Sequence, residues 1–290
     1  MNSFCRLVLL LFLCLTQSLS WASRVSEVEK NSQDIPSQIS SASNVLNKQQ
    51  QAWIKQHPLI RVSSERGWPP INFIEKGKST GFSIEYIKLL AKKVGLRLQF
   101  VPGDWGELLQ KSYDKKLDVI LSIVRNKQRA KKLLFTKPYA GTPTAIFSRL
   151  EDRHLKNMDD LLDKKVAVVK DFYTHRYLQQ HYPNLKLLPT LNTLEAINAV
   201  SSGKADAMLE RLAVGNYLIA KNAIYDVSAS GTSGVAVLDN AEWRLGIRND
   251  WPELVDILDK GMALISQQEY TALINKWYFH AALITRSRLE

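Results

Sequence analysis

Apolar residues recur along the middle of the chain in two alternating patterns, one typical of short buried strands and one typical of amphipathic helices. Residues 82–94 place an apolar face at helical spacing, and Gly95 follows as a stop, because glycine adopts the left-handed conformation at low cost. The pattern continues to the end of the chain. It predicts strands over 59–63, 96–101, 117–123, 166–170 and 243–248, and helices from about Trp105, over 173–181, over 192–200 and over 252–265, with a final helix around 270–277.

Local signals mark several boundaries of these elements. Asn192 with Glu195 predicts a capping box at the start of one helix, and Asn249 or Asp250 is expected to cap the helix that begins near Pro252. The polar segment 75–81 predicts the turn of a hairpin.

An internal similarity links the two halves of the chain. The segment 114–121, which contains Asp118, resembles the segment 202–209, which contains Asp206. Together with the alternating elements, this repetition predicts two similar α/β lobes.

The N-terminal residues have the organisation of a secretory signal. Arg6 gives a basic start, residues 7–15 form an apolar run, and Ser20-Trp21-Ala22 is a small-x-small cleavage site. The run is shorter than the roughly 20 residues that a membrane span requires. We therefore expect a cleaved signal over 1–22, a periplasmic protein, and a flexible Ser-, Asn- and Gln-rich leader over 23–44.

Composition narrows the function classes. The 290 residues are 45% hydrophobic, which suffices for one or two cores. Cys5 and Cys14 both lie in the predicted signal, so neither disulfides nor thiol chemistry are expected after cleavage. The net charge of +11 falls to +10 when the predicted signal, which contains Arg6, is removed. A positive charge favours anions, but the basic residues are scattered along the sequence, so the charge does not identify a particular anion. Nucleic acid is not an expected partner of an exported chain.

Motifs for catalysis or metal binding are not found in the sequence. The nearest two of its five histidines are six residues apart, which does not suit a helical metal pair, so no metal or other cofactor is expected. No Gly-x-Ser-x-Gly elbow is present. Gly77-Lys78-Ser79 lacks the glycine of a phosphate-binding loop five residues earlier, where Asn72 stands. An enzyme is not the expected function.

Four stretches taken together resemble the bacterial extracellular solute-binding proteins of family 3, which include amino-acid receptors and the Venus-flytrap domains of sensor kinases. The stretches are residues 60–73, 81–86, 117–139 and 202–207. Residues 198–203 and 212–217 are more similar to sensor-linked flytraps than to transport receptors.

The resemblance implies an α/β fold of the type II periplasmic-binding-protein class, with two lobes joined by two hinge crossings. It assigns residues 45–140 plus 240–283 to lobe one and residues 142–235 to lobe two. A small polar solute would bind in the cleft, because closure of two rigid lobes removes water and strengthens polar contacts.

The resemblance also implies ligand-binding residues in lobe one. Arg129 stands where the family places the arginine that holds a ligand carboxylate, a task that suits the planar guanidinium. Trp68 and Trp105 stand at positions of aromatic wall residues, with ordinary core packing as the alternative. Ser122 matches a position that contacts the ligand, but Val124 replaces the usual hydroxyl residue nearby, and Asn126 is the candidate that would compensate.

In lobe two, four consecutive residues match the turn where a helix N-terminus approaches the ligand: Asp171, Phe172, Tyr173 and Thr174. Arg211 departs from the family, because amino-acid receptors carry an acidic residue there. Arg211 would favour anions such as dicarboxylates over amino acids, unless it turns away from the site. Glu210 is expected on the opposite face of its strand, since neighbouring strand residues alternate.

The sequence thus predicts a periplasmic protein that binds a small polar, carboxylate-bearing solute for transport or signalling, with an inner-membrane permease or a sensor kinase as partner. Two alternatives stay open: a sensor module without a ligand, and an enzyme of the same fold such as a cyclohexadienyl-dehydratase-like lyase.

Overall fold

The computed structural model describes residues 45–279, so the predicted signal and leader lie outside the described residues. The chain divides into a unit over residues 1–51 and a unit over residues 52–290. The described part of the first unit is a turn and the beginning of helix α1 (Lys48–Gln56). The second unit contains all the sheets that are described below.

The first lobe contains the elements β1 (Ile60–Glu65), β2 (Gly67–Trp68), β3 (Asn72–Glu75), β4 (Lys78–Thr80), α2 (Phe82–Val94), β5 (Leu98–Gly103), α3 (Trp105–Tyr113), β6 (Val119–Ile123), β7 (Leu133–Phe135), β8 (Ala140–Gly141), β14 (Glu242–Arg248), α8 (Pro252–Ala263) and α9 (Gln267–Ile274). Its main sheet has the strand order β5-β1-β6-β14-β7, and β8 also pairs with β14. Strand β1 is parallel to β5 and β6, whereas β14 is antiparallel to its neighbours. A small antiparallel sheet of β2, β3 and β4 adjoins the main sheet.

The second lobe contains the elements β9 (Thr144–Arg149), β10 (Lys165–Val169), α4 (Tyr173–His181), β11 (Lys186–Thr190), α5 (Thr193–Ser201), β12 (Ala207–Arg211), α6 (Leu212–Lys221), β13 (Val227–Thr232) and α7 (Ala236–Asp239). Its sheet has the strand order β11-β10-β12-β9-β13, in which β10 is parallel to β11 and β12, and β9 is antiparallel to β12 and β13.

The chain passes from the first sheet to the second between β8 and β9, and it returns between α7 and β14. The two larger sheets contact helices, and each has its own buried cluster of apolar side chains. The predicted fold class, a two-lobed α/β fold with two crossings, is confirmed.

Sequence signals at element ends are mostly correct, with two exceptions at helix N-termini. Helices α2 and α4 have the predicted bounds, and Gly95 adopts the left-handed conformation with φ of 77°. The hairpin turn at Lys76 and Gly77 has positive φ at both residues, as a tight hairpin requires. The predicted cap of α8 is wrong, because Trp251 occupies the N-cap position without a side-chain bond.

Asp250 is unavailable as a cap because its carboxylate accepts two hydrogen bonds from the Arg248 side chain, at 2.7 and 2.8 Å. The capping box predicted for Asn192 and Glu195 forms only in part: the Asn192 side chain accepts the backbone N–H of Glu195 at 2.9 Å. The Glu195 carboxylate completes the turn by accepting the N–H of Leu191 rather than that of Asn192. Within residues 45–279, no helix is both long and apolar enough to cross a membrane.

Candidate functional site

One cavity lies between the two lobes and is lined by residues of both. The structure places all eight sequence-predicted site residues around it, together with four that were not predicted as site residues. Its volume is about 30 Å³, room for about two water molecules. The lining comprises the predicted Trp68, Trp105, Ser122, Arg129, Phe172, Tyr173, Thr174 and Arg211, and in addition Glu65, Val124, Glu210 and Trp243.

The topology explains why these residues meet. Glu65 and Arg211 are the last residues of β1 and β12, and Ser122 is the penultimate residue of β6. Parallel strands end at one edge of their sheet, where open α/β folds bind their ligands. Trp105 and Tyr173 are the first residues of α3 and α4, so a helix N-terminus from each lobe also faces the cleft.

Aromatic rings from both lobes fill most of the cleft. The Phe172 ring of lobe two makes edge contacts with the rings of Trp68 and Trp105 in lobe one, at centroid distances of 5.8 and 5.6 Å. Trp68 also contacts Trp243 at 5.1 Å. Edge-to-face pairs at such distances stabilise a contact beyond the apolar area that they bury. The Phe172 ring, called the Phe172 wedge below, thus takes up space between the lobes beside a cavity of about 30 Å³.

A backbone carbonyl of lobe two also contacts two side chains of lobe one. The Asp171 carbonyl accepts the indole N–H of Trp105 at 3.1 Å and a long hydrogen bond from Nη2 of Arg129 at 3.4 Å. Asp171 has φ of 65°, in the left-handed region that is rare for residues other than glycine. Its side chain pairs with Arg176, and its N–H donates to Nδ1 of His175 at 3.0 Å. These contacts hold Asp171 in place and thereby position the neighbouring Phe172. Asp171 and Phe172 together form the tip of lobe two.

Arg129 is buried with 4% of its surface exposed. Its Nη1 donates to the Val124 carbonyl at 2.8 Å, and the guanidinium lies 5.4 Å from the Trp105 ring centroid. Burial lowers the pKa of Arg129 to about 10, partly opposed by Tyr113 and Tyr173. Arg129 therefore remains a cation at neutral pH and can hold an anionic group.

Arg211 lines the cavity but is engaged by the crossing segments. Its Nη1 donates to the carbonyls of Thr142 and Leu238, at 2.8 and 3.0 Å, and to Oγ1 of Thr144 at 3.0 Å. Burial lowers the pKa of Arg211, and the nearby Glu210 opposes that shift. Nη1 of Arg211 thus binds groups on the hinge side of lobe two.

The expectation that Glu210 faces away from the cleft is wrong. Both Glu210 and Arg211 line the cavity, because β12 ends at Arg211 and the chain turns directly into α6, which breaks the alternation of a regular strand. The Glu210 carboxyl accepts the hydroxyl of Thr193 and the N–H of Arg211, at 2.5 and 2.7 Å. Burial raises the pKa of Glu210, and these two bonds counteract part of the rise.

Glu65 is the second acidic residue of the cavity, and the sequence analysis missed it. Its side chain is buried, and no residue within 45–279 donates a hydrogen bond to its carboxyl or forms an ion pair with it. Burial raises the pKa of Glu65 well above its ordinary value, and repulsion from Glu210 and Asp104 adds to the rise. The end of a predicted strand beside Trp68 was the signal that could have identified it.

The remaining predicted residues have mixed surroundings. The Ser122 hydroxyl is hydrogen bonded inside lobe one, to Oγ of Ser83 at 2.8 Å and to the Tyr139 hydroxyl at 3.1 Å. Val124 contributes a carbonyl to Arg129. Asn126 lies outside the cavity lining, and its Oδ1 accepts the backbone N–H of Arg129 at 2.8 Å. Asn126 therefore supports Arg129 rather than replacing a hydroxyl in the cavity.

The buried indole Nε1 of Trp68 has no hydrogen-bond partner among the described residues, although it lies near enough to Glu210 to lower the pKa of that carboxyl. No group of three or more His, Cys, Asp or Glu residues within 45–279 is arranged to hold a metal ion. The arrangement provides cationic, acidic and aromatic groups, which suit the recognition of a small polar molecule.

Comparison with known proteins agrees with this geometry. The sequence profile of the bacterial extracellular solute-binding proteins, family 3, matches residues 60–280. The chain belongs to this family. The resemblance inferred from the sequence is therefore confirmed, and the family's extracellular character agrees with the predicted export.

Similar proteins include a sensor protein and a binding protein for L-cystine. The virulence sensor protein BvgS of Bordetella bronchiseptica is 26% identical over 230 residues, which cover 79% of this chain and 18% of the sensor. The chain thus spans less than a fifth of the length of that relative. The L-cystine-binding protein TcyJ of Escherichia coli is 28% identical over 205 residues, which cover 68% of this chain and 77% of TcyJ.

Among solved structures, the ancestral amino-acid-binding protein AncCDT-1, a precursor of cyclohexadienyl dehydratase, has a TM-score of 0.67 and 28% identity. The match covers 78% of this chain and 98% of that one. This chain is thus similar to an L-cystine-binding protein, to a virulence sensor protein and to an ancestral amino-acid-binding protein that is a precursor of an enzyme.

Proposed function

We propose that this protein is a periplasmic receptor that binds a small amino-acid-like solute in the cleft between its lobes, for transport or signalling. The observation that supports this most is the convergence of opposite charges on one aromatic cavity. Arg129 comes from lobe one, Glu210 from lobe two, and Glu65 from the end of β1 in lobe one. A zwitterionic solute has a carboxylate that can bind the arginine and an ammonium group that can bind the two acidic side chains.

In this proposal, Arg129 holds the carboxylate of the solute with donors that form charge-assisted bonds. Glu65 and Glu210 receive its ammonium group. A cation placed between these carboxyls would lower their pKa values, which burial raises when no cation is present. This revises the role expected for Arg211, because its bonds to Thr142 and Leu238 suit support of the hinge better than selection of a dianion.

Binding requires the Phe172 wedge to withdraw. Ligand pockets commonly measure about 300–1,000 Å³, whereas this cavity measures about 30 Å³. Opening of the lobes would separate Phe172 from Trp68 and Trp105 and would make room for the solute. The solute would then take over contacts that Phe172 and the Asp171 carbonyl make in the closed arrangement.

The same wedge supports a second candidate function, a sensor module that closes without a ligand. In that case, Phe172 and the Asp171 carbonyl provide the closing contacts permanently, and the partner responds to the closed lobes. If the protein is a sensor module, its similarity to BvgS favours a sensor kinase as partner. If it is a receptor for a solute, its similarity to TcyJ favours a permease.

A catalytic alternative is a lyase of the cyclohexadienyl dehydratase type. It is supported by the similarity to AncCDT-1 and by Glu65, since a buried carboxyl with a raised pKa suits a general acid. Incubation with prephenate or arogenate tests it directly, and we expect no turnover above that of a Glu65→Gln variant.

The receptor proposal is tested by a thermal-shift screen of amino acids, dicarboxylates and aromatic acids. A ligand at 100 times its Kd adds about 2.7 kcal/mol of apparent stability, a readily measured shift. For the best ligand, calorimetry should show that Arg129→Met weakens binding by about 10- to 100-fold, the equivalent of losing a hydrogen bond to a charged group.

Lys132→Ala is the control, because it removes a nearby exposed cation that does not line the cavity. Unchanged affinity of the Arg129→Met variant would contradict the assigned role of Arg129. Absence of a shift with every compound would favour the ligand-free sensor module.

A further inference from the structure

A second, larger groove opens at the outer side of the cleft. Its volume is about 660 Å³, within the range of pockets that hold small molecules. Lobe one contributes the loop after β6, with Arg125 and Lys127, and lobe two contributes helix α4, with Arg176, Tyr177 and His181. The groove adjoins the inner cavity at Tyr173, which lines both, but its other ten lining residues are not part of the inner cavity.

The charge of this groove is uniformly positive. None of its 11 lining residues is an aspartate or a glutamate. Arg125 and Lys127 are exposed, and neither forms an ion pair or a side-chain hydrogen bond with another residue of the described chain. Arg176 is the exception, because it pairs with Asp171 just outside the groove. Uncompensated cations that converge on a concave surface attract and concentrate anions.

The groove also has a surface for a flat ring. The rings of Tyr177 and His181 stack at a centroid distance of 4.3 Å and an interplanar angle of 29°, and His181 is exposed. Side-chain amides of Asn126, Gln128 and Gln180 line the same groove and supply neutral donors and acceptors. Cations, amides and aromatic faces together suit a ligand that has an anionic group and a planar, polar ring.

We propose that this groove binds a small organic anion that carries a planar ring, at a site distinct from the solute cavity. Arg125 and Lys127 hold the anionic group, and the Tyr177–His181 stack and the amides hold the ring. The inference does not depend on the identity of the solute in the inner cavity or on whether that cavity has a ligand.

Calorimetry with three probes at constant ionic strength tests both parts of the proposal. Adenosine 5′-monophosphate carries a ring and an anion, adenosine carries the ring alone, and inorganic phosphate carries the anion alone. We expect the monophosphate to bind at least about tenfold more tightly than either of the others, since each part adds contacts. Equal binding of adenosine would overturn the anion site, and equal binding of phosphate would overturn the ring site.

Two double variants then locate the binding. Arg125→Ala with Lys127→Ala should weaken binding of the monophosphate by about tenfold or more, as expected from loss of charge-assisted contacts. Lys131→Ala with Lys132→Ala removes the same charge from the same loop, at exposed positions that do not line the groove. This control should change affinity by less than about twofold, because distant exposed charges are screened by salt.

Equal losses in the two double variants would show that net charge alone attracts the probe, and this would overturn the site. The comparison of the three probes on the wild-type chain decides the proposal even if one variant folds poorly. Circular dichroism and thermal unfolding check that both variants keep the fold.

Discussion

The two lobes share one contact between an aspartate and a strand backbone, but the surroundings of the aspartate differ between the lobes. In lobe one, the Asp118 carboxylate accepts the N–H of Arg61 at 2.8 Å, and in lobe two the Asp206 carboxylate accepts the N–H of Lys165 at 2.7 Å. In each lobe, an aspartate just before the central strand thus binds the beginning of the neighbouring strand. The internal similarity of the sequence corresponds to this shared role.

The surroundings of the two aspartates differ. The side chain of Asp118 is 1% exposed and pairs with Arg61 and Arg248, at 2.6 and 3.1 Å. The side chain of Asp206 is 40% exposed, and its nearest cation, Arg149, is 4.0 Å away. The difference teaches that a repeated topology fixes the position of a residue, whereas local burial and charge decide how much that residue stabilises the fold.

The largest expected effect distinguishes these two aspartates. Asp118→Asn should lower the free energy of unfolding by roughly 3 kcal/mol, the low end for breaking a buried pair, because Arg61 and Arg248 are partly exposed. Asp206→Asn should lower it by less than about 1 kcal/mol, as is usual for exposed pairs. Urea unfolding of both variants measures the two values, and equal losses would contradict the comparison.

A pH titration sharpens the same contrast. Burial alone would raise the pKa of Asp118, but hydrogen bonds from Arg61 and Arg248 outweigh it and hold the pKa below the ordinary 3.8. A depressed carboxyl pKa stabilises the fold above the unfolded-state pKa, and this contribution disappears as the pH falls through the folded-state value.

The stability difference between wild type and Asp118→Asn should therefore be constant near neutral pH and shrink below about pH 4, the ordinary range of an aspartate. Urea unfolding between about pH 7 and pH 2.5 checks this. A difference that stays constant over the whole range would mean that Asp118 acts through shape rather than charge.

The lobes also differ in what they contribute to the cleft. Lobe one provides a wall of packed tryptophans, whereas lobe two provides a tip, Asp171 and Phe172, whose ring packs against the buried cluster of lobe one. Because Phe172 is only partly buried, Phe172→Ala should destabilise the closed arrangement by less than the roughly 1.5–3 kcal/mol that a fully buried side chain contributes. Small-angle scattering should then show a larger radius of gyration.

The control for this variant is Phe172→Leu, which keeps most of the apolar contact and should stay close to wild type. An unchanged radius of gyration for Phe172→Ala would mean that contacts elsewhere hold the lobes closed. One such contact is the ion pair between Glu75 and Lys221, which joins the lobes at 2.9 Å.

Much of this architecture was predictable from the sequence. Helices α2 and α4 have strong apolar periodicity and clear ends, so their bounds are correct. Short-range competition explains two errors: Arg248 takes the carboxylate that would have capped α8, and the turn after β12 redirects Glu210. The Phe172 wedge was not predictable, because its partners are far away in sequence and meet it through the closure of two lobes.

The smallest expected effect separates the ring contact of Trp105 from its hydrogen bond. Trp105→Phe keeps an aromatic ring beside Phe172 but removes the N–H that donates to the Asp171 carbonyl at 3.1 Å. Arg129 still reaches that carbonyl, so the loss should be about 0.5–1.5 kcal/mol, the net value of one ordinary hydrogen bond. The closed form should lose population only slightly compared with Phe172→Ala, as measured by the same scattering experiment. If Trp105→Phe opened the lobes as much as Phe172→Ala does, the backbone bond rather than the aromatic wedge would be the main closing contact, and the division between a wall in lobe one and a wedge in lobe two would have to be revised.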